Sequence, residues 1–498
     1  MSAPFYRSRP DHLVALPQEK ASTIDRWHPE RRTQRSRSEN WLRKAIFFLF
    51  REGPLRSWRK YRARKLKEKL EGTPVCLILR DKENGTYYGG FQHRIEQECY
   101  YFLPGACWEQ EPERAKLNPI EKLDPFLGHV PEGFEGANTQ RPFRAIRFRS
   151  PDNAPQKEFD LYAVGCGSYM LSEVLPVYLK AADLAAAIDI DRSVLELPEL
   201  KKARQRSNDL GTAIEGEERP ERPKIAYIAS YHSWHSAQAL DMLDAFPNAR
   251  VIVEKPPCIT ETDLRMLWWN FDPERIFIAF HRRYAPMNRW IREWIGGMEG
   301  AVLVNMEIHE TPIGPDHWYF APDQGTRIAG NLCHWIDLAL FWIRSEPYRV
   351  SVAANEKLGP DASFYTLHFE DGSMVHFTAT DRGDPTYGVQ ERIRVLGEEE
   401  EIRLEDGLRV QRWHRGRWKG YRKLLRDKGH ERMNRDHLER IRAGKASPYP
   451  ADALLKVTRI QNAFIHLVRN GGGSMPLDLR RPEEMPDLSS HAEAGPGS

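Results

Sequence analysis

The sequence predicts an α/β protein with a doubly wound parallel sheet, followed by an α+β domain with a mostly antiparallel open sheet. Between residues 158 and 284, short apolar runs alternate with helical stretches, the pattern of buried parallel strands and crossover helices. The first run leads through a Gly-x-Gly turn into a helix. After about residue 285, segments of alternating apolar and polar residues follow one another, two of them joined by a hairpin signal at Asp371-Gly372.

Length and composition limit the classes of protein to consider. A chain of 498 residues fits two or three domains, and 40% hydrophobic with 29% charged residues is a globular composition. No apolar run approaches the roughly 20 residues of a membrane helix, and the first residues lack the apolar core of a signal peptide. Six cysteines without a Cys-x-x-Cys pair argue against a disulfide scaffold or a zinc ribbon. We therefore expect a cytoplasmic protein without a metal site.

The front of the chain, residues 1–74, is predicted to be a basic extension that is partly disordered and partly helical. Residues 1–71 carry 19 Lys and Arg against 8 Asp and Glu, so the remainder of the chain is net acidic. Apolar spacing predicts helices over residues 41–51 and 55–71, separated by a Gly-Pro pair. Residues 1–40 are polar and are expected to be poorly ordered.

Two interpretations of this basic segment stay open. Residues 31–69 hold 15 Lys and Arg against 3 acidic residues, interleaved with aromatic and aliphatic side chains. They either dock on the body and leave a solvated basic face, or make weak contact with an anionic membrane, which would place the protein peripherally at the inner membrane surface. Specific nucleic-acid binding is not expected, because the basic segment contains no motif for sequence-specific recognition.

Residues 75–157 are predicted to form a small β-rich module. Two strand-like segments flank Lys82–Gly85, whose Asn-Gly pair is a hairpin signal. No catalytic pattern is recognisable in this module.

Residues 158–284 are predicted to form a nucleotide-binding domain of the Rossmann type. Its strands are expected in the segments FDLYAVG, LAAAID, IAYIAS, ARVIVE and RIFIAF. Helices are expected at 168–181, 196–205, 233–245 and 260–270. The polar segment 206–223 is expected to be a surface loop.

Residues 285–470 are predicted to form the α+β domain for substrate binding and oligomerisation. In AVLVNMEIH, the even-numbered residues 302–308 are apolar and share one face of a strand. Two helices, at 430–443 and 450–469, are expected to cover the sheet only in part, so we predict a homo-oligomer formed through it. Residues 471–498 are expected to be a disordered tail.

The turn after the first parallel strand is the predicted cofactor site. Gly165 would permit a tight turn, and Gly167 would let a pyrophosphate approach the N-terminus of the following helix. Asp189 ends the second strand, where a carboxylate binds ribose hydroxyls and favours NAD, although Arg192 could accommodate NADP. Met170 replaces the third glycine of the usual pattern, which predicts altered helix packing rather than loss of binding.

Several motifs in a fixed order then point to one family. VGCGSYMLSEVLP, YIASYHSWHSAQAL, VIVEKPP and GTRIAGNLCHWIDLALFW resemble the glucose–fructose oxidoreductase/inositol dehydrogenase family of the Gfo/Idh/MocA type. FHRRYAP and PDHWYFAPDQG fit its sugar-oxidising branches. The resemblance covers about residues 158–470 and not residues 1–157. It implies hydride transfer between NAD(P) and a secondary hydroxyl of a sugar, a sugar nucleotide or a cyclitol.

Motif positions and the resemblance together give the predicted site residues. The cofactor-binding residues are Gly165, Gly167, Ser168, Tyr169, Met170, Asp189, Ser230, His235, Glu254 and Lys255. The substrate-binding residues are Arg283, Tyr284, His317, Asn331 and His334. The catalytic residues are Lys255, His334 and Asn331.

Two of these residues have chemistry that can be argued independently. Lys255 follows a buried strand at the sheet edge where ligands bind, and it precedes a proline, so a fixed cation there can stabilise a developing alkoxide. The resemblance implies a cis bond at this proline. His334 lies on an apolar helix over about residues 327–343 and can accept a hydroxyl proton near neutral pH. Asn331 and Asp337 are expected on the same side of that helix.

One position departs from the family pattern. Many members carry Asp four residues before this histidine, whereas this chain has Gly330. Gly330 and the additional N-terminal module keep one alternative open, a catalytically silent sugar-binding or NAD-binding regulator or scaffold. The resemblance implies a second, an NAD-dependent glycosidase.

Overall fold

The fold was analysed in a computed structural model of the chain. The structure describes residues 49–68, 157–189, 192–207, 210–313, 319, 324–354, 363–382 and 388–484, together with the backbone of five strands between residues 12 and 103.

The front of the chain contains a five-stranded antiparallel sheet. Its strands are β1 His12–Leu16, β2 Ile24–Arg26, β3 Val75–Asp81, β4 Tyr87–Ile95 and β5 Glu98–Leu103. They are ordered β1-β5-β4-β3-β2, and the antiparallel pairing of β3 with β4 confirms the predicted hairpin. The strands β1 and β2 lie within residues that we expected to be poorly ordered, so this expectation was wrong for both segments. They pair with β5 and β3, so the predicted boundary at residue 74 cuts through one sheet.

A helix follows the predicted Gly-Pro break. Helix α1 spans Pro54–Glu68, after a helical turn over residues 49–52. Gly53 between them has a φ of +83°, and an added Cβ would lie 2.9 Å from Leu425, so the break requires glycine. The rest of the first predicted helix, residues 41–48, lies outside the described part of the chain.

The predicted parallel sheet is confirmed. Its six strands run in the order β11-β10-β9-β6-β7-β8, all parallel, with the change of direction between β6 and β9. Ligands of such sheets bind outside the carboxyl ends of the strands at that change of direction. The strands are β6 Phe159–Val164, β7 Ala182–Ile188, β8 Gln205–Ser207, β9 Lys224–Ile228, β10 Arg250–Glu254 and β11 Ile276–Ala279.

Helices connect these strands. They are a π-helical turn Met170–Val174 continuing into α2 Leu175–Tyr178, then α3 Arg192–Leu195, α4 Leu210–Glu215, α5 His235–Ala245 and α6 Glu261–Trp269, with 3₁₀ turns at Leu200–Lys202 and His232–Trp234. The helices predicted near 233–245 and 260–270 are confirmed.

Two predictions between β7 and β9 were wrong. The segment 196–205 is not one helix, and the predicted loop 206–223 contains part of β8 and all of α4. Strand β8 is buried but polar, so it has no apolar signature in the sequence. Its Gln205 amide donates to Ala213 O at 2.8 Å, and its Arg206 guanidinium donates to Leu195 O at 2.9 Å.

The second domain is built on a nine-stranded sheet in the order β19-β18-β17-β16-β12-β15-β14-β13-β20. It is mostly antiparallel, as predicted, and β12 and β15 run parallel. The strands are β12 Leu303–His309, β13 Pro347–Ala354, β14 Ser363–Phe369, β15 Met374–Thr380, β16 Gln390–Leu396, β17 Glu400–Glu405, β18 Arg409–His414, β19 Arg417–Arg422 and β20 Gly473–Pro476.

Helices and turns complete this domain. They are a 3₁₀ turn His281–Tyr284, α7 Pro286–Ile295, a π-helical turn Ile328–Leu332 continuing into α8 Cys333–Trp342, then α9 His430–Arg442, α10 Ala451–Arg469 and a 3₁₀ turn Pro482–Glu484. Strand β20 pairs with β13, so residues 473–476 belong to the sheet and the expectation of a wholly disordered tail was wrong.

The apolar face of the large sheet is covered inside the subunit. Val304, Met306 and Ile308 are buried, and Phe464 of α10 packs on Tyr365 and Phe377. The alternating apolar face therefore gives no reason for oligomerisation, contrary to the argument from the sequence. Large apolar side chains are exposed on this sheet at other positions, namely Leu303, Tyr348, Phe364, Met374 and Trp418.

None of the described helices is long and apolar enough to cross a membrane.

Candidate active site

The turn after β6 has the geometry of a phosphate-binding loop. Gly165 has a φ of +79°, and a Cβ added there would lie 2.4 Å from the carbonyl oxygen of Ala229, so only glycine fits. A Cβ added to Gly167 would meet no atom within 4 Å. The second glycine therefore leaves open space beside the N-terminus of the following helix, where free N–H groups attract anions.

The helix after this turn packs unusually. Met170 is fully buried and opens a π-helical turn at the position where the usual pattern has a third glycine. A wider turn agrees with the altered packing predicted for methionine there. Just before it, Ser168 is exposed and Tyr169 is half-buried, with the Tyr169 hydroxyl 3.4 Å from His430 Nδ1.

Asp189 lies at the end of β7 and holds the turn in place. Its Oδ2 accepts a hydrogen bond of 2.7 Å from the backbone N–H of Cys166. One carboxylate thus supports the glycine turn and lies where a ribose would reach it.

The predicted cofactor residues after β9 and β10 form a buried network. His235 lies between the carbonyl oxygens of Pro256, at 2.8 Å, and Ser230, at 3.2 Å, and burial lowers the pKa of His235 to about 4. Tyr227 donates to Glu254 Oε1 at 3.1 Å, and the backbone N–H of Lys255 donates to Glu254 Oε2 at 3.0 Å. Burial raises the pKa of Glu254 against the opposing charge of Lys255. These contacts fix the strand end from which Lys255 projects.

Lys255 connects the two domains. The Lys255–Pro256 bond is cis, and Lys255 Nζ donates to the carbonyl oxygen of Gly330 at 2.7 Å. Burial works to lower the pKa of Lys255, but Tyr319, Cys333 and two glutamates around it raise that pKa above the usual value. Lys255 is therefore a cation at neutral pH.

The acceptor of this hydrogen bond lies in the π-helical turn Ile328–Leu332. Turns of this kind widen the helix and are frequent at functional sites, because they leave carbonyl groups available to other donors. The predicted helix over about 327–343 is confirmed, with this widened first turn.

His334 is buried next to this lysine, in a group of three histidines. Its ring centroid lies 4.4 Å from that of His281, which stacks at 3.6 Å on His430. His281 Nδ1 donates to Lys428 O at 2.7 Å. Burial, His281 and the charge of Lys255 together hold the pKa of His334 well below its usual range. The ring is neutral at pH 7 and can accept a proton.

The Nδ1 atom of His334 is buried and has no hydrogen-bond partner in the described part of the protein. A buried polar atom without a partner is costly, so such an atom commonly faces a ligand or a water molecule.

Asn331 binds a carboxylate that the sequence analysis did not single out. Its side-chain N–H donates to Glu310 Oε2 at 2.7 Å, and Arg327 donates to the same oxygen at 3.2 Å. Burial raises the pKa of Glu310 despite Arg327, Asn331 and Lys255 nearby. The signal was present in the sequence, because Glu310 continues the even-numbered apolar face of β12 with a carboxylate.

Other predicted residues have structural partners. Asp337 accepts three hydrogen bonds of 2.6–3.0 Å from the Arg283 guanidinium and one of 3.0 Å from Tyr449. The Tyr284 hydroxyl lies 3.0 Å from His437 Nε2. Substrate contact by Arg283 and Tyr284 stays a prediction, and His317 lies outside the described residues.

The space beside Gly330 is filled from another segment. A Cβ added to Gly330 would lie 2.6 Å from the Tyr319 ring and 2.9 Å from the His232 ring. The two rings pack with centroids 5.0 Å apart. Burial raises the pKa of Tyr319, and Lys255 opposes the increase. An aromatic hydroxyl side chain thus occupies the place from which the family's aspartate would project.

These residues fit a dinucleotide. The open space at Gly167 could hold a pyrophosphate, the Asp189 carboxylate could bind a ribose, and the unpartnered Nδ1 of His334 could face a substrate hydroxyl. Among the described residues, no group of three or more His, Cys, Asp or Glu side chains is arranged to hold a metal ion.

Comparison with known families agrees with the fold. Residues 278–403 match the C-terminal domain of the GFO/IDH/MocA family. No curated protein matches the chain.

Solved structures share the two-domain architecture at low identity. GenD2 from gentamicin A biosynthesis, in complex with NAD, is 17% identical with a TM-score of 0.54, covering 66% of this chain and 100% of that one. The myo-inositol dehydrogenase from Lactobacillus casei, in complex with NAD(H) and myo-inositol, is 15% identical with a TM-score of 0.52, covering 65% and 98%. The aldose-aldose oxidoreductase from Caulobacter crescentus, complexed with glycerol, is 18% identical with a TM-score of 0.54, covering 64% and 100%.

Proposed function

We propose that this chain, whose C-terminal domain belongs to the GFO/IDH/MocA family, is an oxidoreductase that transfers a hydride between NAD(P) and a secondary hydroxyl of a sugar, a sugar nucleotide or a cyclitol. The observation that carries the proposal is the pairing of a buried cation with a buried neutral base. Lys255 Nζ is held at Gly330 O, and His334 next to it presents an unpartnered Nδ1.

The roles of these two side chains follow from their charge states. His334, neutral at pH 7, would accept the proton of the substrate hydroxyl as the C–H bond breaks. Lys255 would donate a hydrogen bond to the same oxygen and stabilise its developing negative charge. Asn331, held on Glu310, would orient a second hydroxyl of the substrate. A bound nicotinamide supplies the acceptor for the hydride.

The proposed cofactor site is the β6 turn and the strand ends beside it. Gly165, Gly167, Ser168, Tyr169 and Met170 would surround the pyrophosphate and the start of the nicotinamide half. Asp189 would accept hydrogen bonds from ribose hydroxyls and repel an added phosphate, which favours NAD over NADP. Ser230, His235 and Glu254 would line the crevice between β9 and β10.

The partners we propose are a small carbohydrate substrate and further copies of this chain. The substrate class is supported by the printed names of the related structures, which include a myo-inositol dehydrogenase and an aldose-aldose oxidoreductase. The homo-oligomer is proposed through the exposed side of the large sheet.

The test is nicotinamide reduction by the pure protein with a panel of sugars, sugar nucleotides and cyclitols. Steady turnover with at least one of them is expected. Lys255→Met and His334→Ala should each lower that turnover by about 100-fold or more and leave NAD affinity within a few-fold.

Wild-type protein that binds NAD but reduces none with any substrate would contradict the proposal in favour of a regulator or scaffold. Glycoside cleavage without net NAD reduction would contradict it in favour of a glycosidase.

A further inference from the structure

Helix α1 turns charged side chains towards the body of the protein and large apolar side chains towards solvent. The side towards the body is ionic: the Arg56 guanidinium binds the Glu173 carboxylate at 3.1–3.2 Å, and Lys60 binds Glu52 at 2.7 Å. Glu52, in the turn before the helix, is buried and also binds Arg426 at 2.5 Å. These ion pairs fix the orientation of the helix on the protein.

The outer side of the helix carries three large apolar side chains and one cation, Arg62, which lies over the Trp58 ring at 5.2 Å and pairs with Glu199 at 2.5 Å. Leu55, Trp58 and Tyr61 are 63%, 54% and 57% exposed. At about 100° per residue, these three positions lie opposite Arg56 and Lys60 on the helix. Helices on the surface of globular proteins normally turn their apolar side inward and their charged side to water. On α1 the large apolar side chains instead point outward and form a largely apolar stripe, in which Leu55 and Trp58 are more than half exposed.

A second segment extends this stripe. Leu424 is 88% exposed, Leu425 touches the break before the helix at Gly53, and both line a cavity of about 670 Å³ together with Leu55. The front patch is defined here as Leu49, Phe50, Leu55, Trp58, Tyr61, Leu424 and Leu425. These side chains are 7 of the 13 large exposed hydrophobics in the described structure, so the patch is a concentration and not a random scatter.

Cations border the front patch. Arg59, Arg432 and Arg435 line the same cavity. Arg435 and Arg432 have carboxylate partners, Glu431 and Asp427, whereas no ion pair to Arg59 is found within the described residues. The sequence just before the patch, residues 31–48, adds six Lys and Arg against one Glu.

We infer that the front patch docks on an anionic lipid bilayer. Trp and Tyr side chains favour the boundary between lipid headgroups and hydrocarbon, and Leu and Phe side chains gain from insertion just below it. The surrounding cations match the negative charge of anionic headgroups. A neutral protein partner would explain the apolar side chains but neither Arg59, which pairs with no carboxylate among the described residues, nor the excess of Lys and Arg in the adjoining sequence.

The test is cosedimentation of the full-length protein with vesicles. We expect binding to vesicles of phosphatidylcholine mixed with phosphatidylglycerol, weaker binding to phosphatidylcholine alone, and loss of binding at high salt. The double substitution Leu55→Ser/Trp58→Ser should weaken binding by about tenfold or more.

Trp269→Ser provides the matched control, because Trp269 is 59% exposed on α6, outside the front patch. It should bind as wild type does, and the thermal transition of both variants should be unchanged because the substituted side chains are exposed. Equal binding to both kinds of vesicle would overturn the inference. Absence of binding to the anionic vesicles at low salt would also overturn it. If, in that case, Leu55→Ser/Trp58→Ser changes the oligomeric mass, the front patch is a contact between copies of this chain.

Discussion

At the residue scale, the site differs from the family pattern at position 330, where many members carry aspartate and this chain carries glycine. Position 330 carries no side chain, and the ring of Tyr319 lies where that side chain would begin, within the electrostatic reach of Lys255. A phenol beside a lysine can hydrogen-bond a substrate oxygen and exchange a proton with it. We therefore expect Tyr319 to serve the reaction in place of the missing aspartate.

Tyr319→Phe should lower turnover by about 100-fold and leave NAD affinity unchanged, because it removes only the hydroxyl. The double substitution Tyr319→Ala/Gly330→Asp should recover part of the activity, since removing the ring makes space for a carboxylate. Its pH profile should extend to lower pH than that of wild type, because a carboxyl group titrates below a phenol. Turnover of Tyr319→Phe equal to wild type would show that the ring only fills space.

Asp189 has two separable roles, support of the glycine turn and selection of the cofactor. Asp189→Asn retains an oxygen that can accept the N–H of Cys166 but loses the charge, whereas Asp189→Ala loses both. Calorimetry should show that the ratio of NAD affinity to NADP affinity falls by about tenfold in both variants, because each removes the charge that repels the extra phosphate of NADP. Asp189→Ala should in addition weaken both cofactors. An unchanged NAD/NADP ratio in both variants would remove Asp189 from cofactor selection.

At the element scale, the two glycines of the β6 turn give a matched pair of substitutions. Gly165→Ala places a Cβ against the carbonyl of Ala229 and should lower the free energy of unfolding by about 2 kcal/mol or more. Gly167→Ala meets nothing in the protein, so the thermal transition should stay unchanged while NAD binding weakens by about tenfold. Wild-type NAD affinity in Gly167→Ala would place the pyrophosphate elsewhere.

We expect self-association of the chain to use the exposed side of the large sheet. Leu303, Phe364 and Met374 are exposed there although the other face is buried in the subunit. Light scattering should give a mass that is a multiple of 57.9 kDa. Phe364→Glu should reduce the measured mass to that of the monomer, because the contact would bury a charge. Trp269→Glu, on another surface, should leave the mass unchanged. A monomeric wild-type protein at micromolar concentration would refute the oligomer.

Elements with strong periodicity were predictable from the sequence, and elements held by polar contacts were not. The strands of the parallel sheet that are apolar runs, the Asp371-Gly372 hairpin and helices α9 and α10 were confirmed because their patterns depend on neighbouring residues alone. Strand β8 was missed since its buried side chains are polar, and β20 because its four residues owe their place to pairing with β13.

The same limit applies to the site. Lys255, His334 and Asn331 could be named from motifs, because each follows a recognisable strand or lies on a recognisable helix. Glu310 carried a signal, as a carboxylate on the apolar face of β12, but Tyr319, His281 and His430 reach the site from distant segments and carried none. Only the folding of the chain brings them together, so spacing along the sequence could not identify them.

At the scale of the whole molecule, buried neutral histidines make stability depend on pH. Burial lowers the pKa of His235 to about 4 and that of His437 to about 3, from an ordinary value of 6.5. Below pH 6.5 the unfolded chain binds protons that these native side chains do not bind, so stability is fully present above 6.5 and is lost as the pH falls towards 4.

Denaturant unfolding should therefore show a lower free energy of unfolding at pH 5 than at pH 7, by about 2 kcal/mol for each such histidine. His437→Gln retains a polar side chain that does not titrate, and it should reduce the difference by one histidine's share. If the difference between pH 5 and pH 7 is as large in His437→Gln as in wild type, the protonation of His437 does not govern it.

The ion pair of Glu52 with Arg426 has a consequence for how the molecule can be divided. A chain cut at about residue 72 would lose Glu52 and Arg56 and leave their buried partners, Arg426 and Glu173, with fewer opposite charges. Removing one partner of a buried ion pair is strongly destabilising, because the other charge stays buried without compensation. The front helix is thus not a detachable appendage of a conventional two-domain enzyme. In evolutionary terms, the extension and the body should be inherited together. A lineage that loses the extension must also replace the buried charges of the body that paired with it.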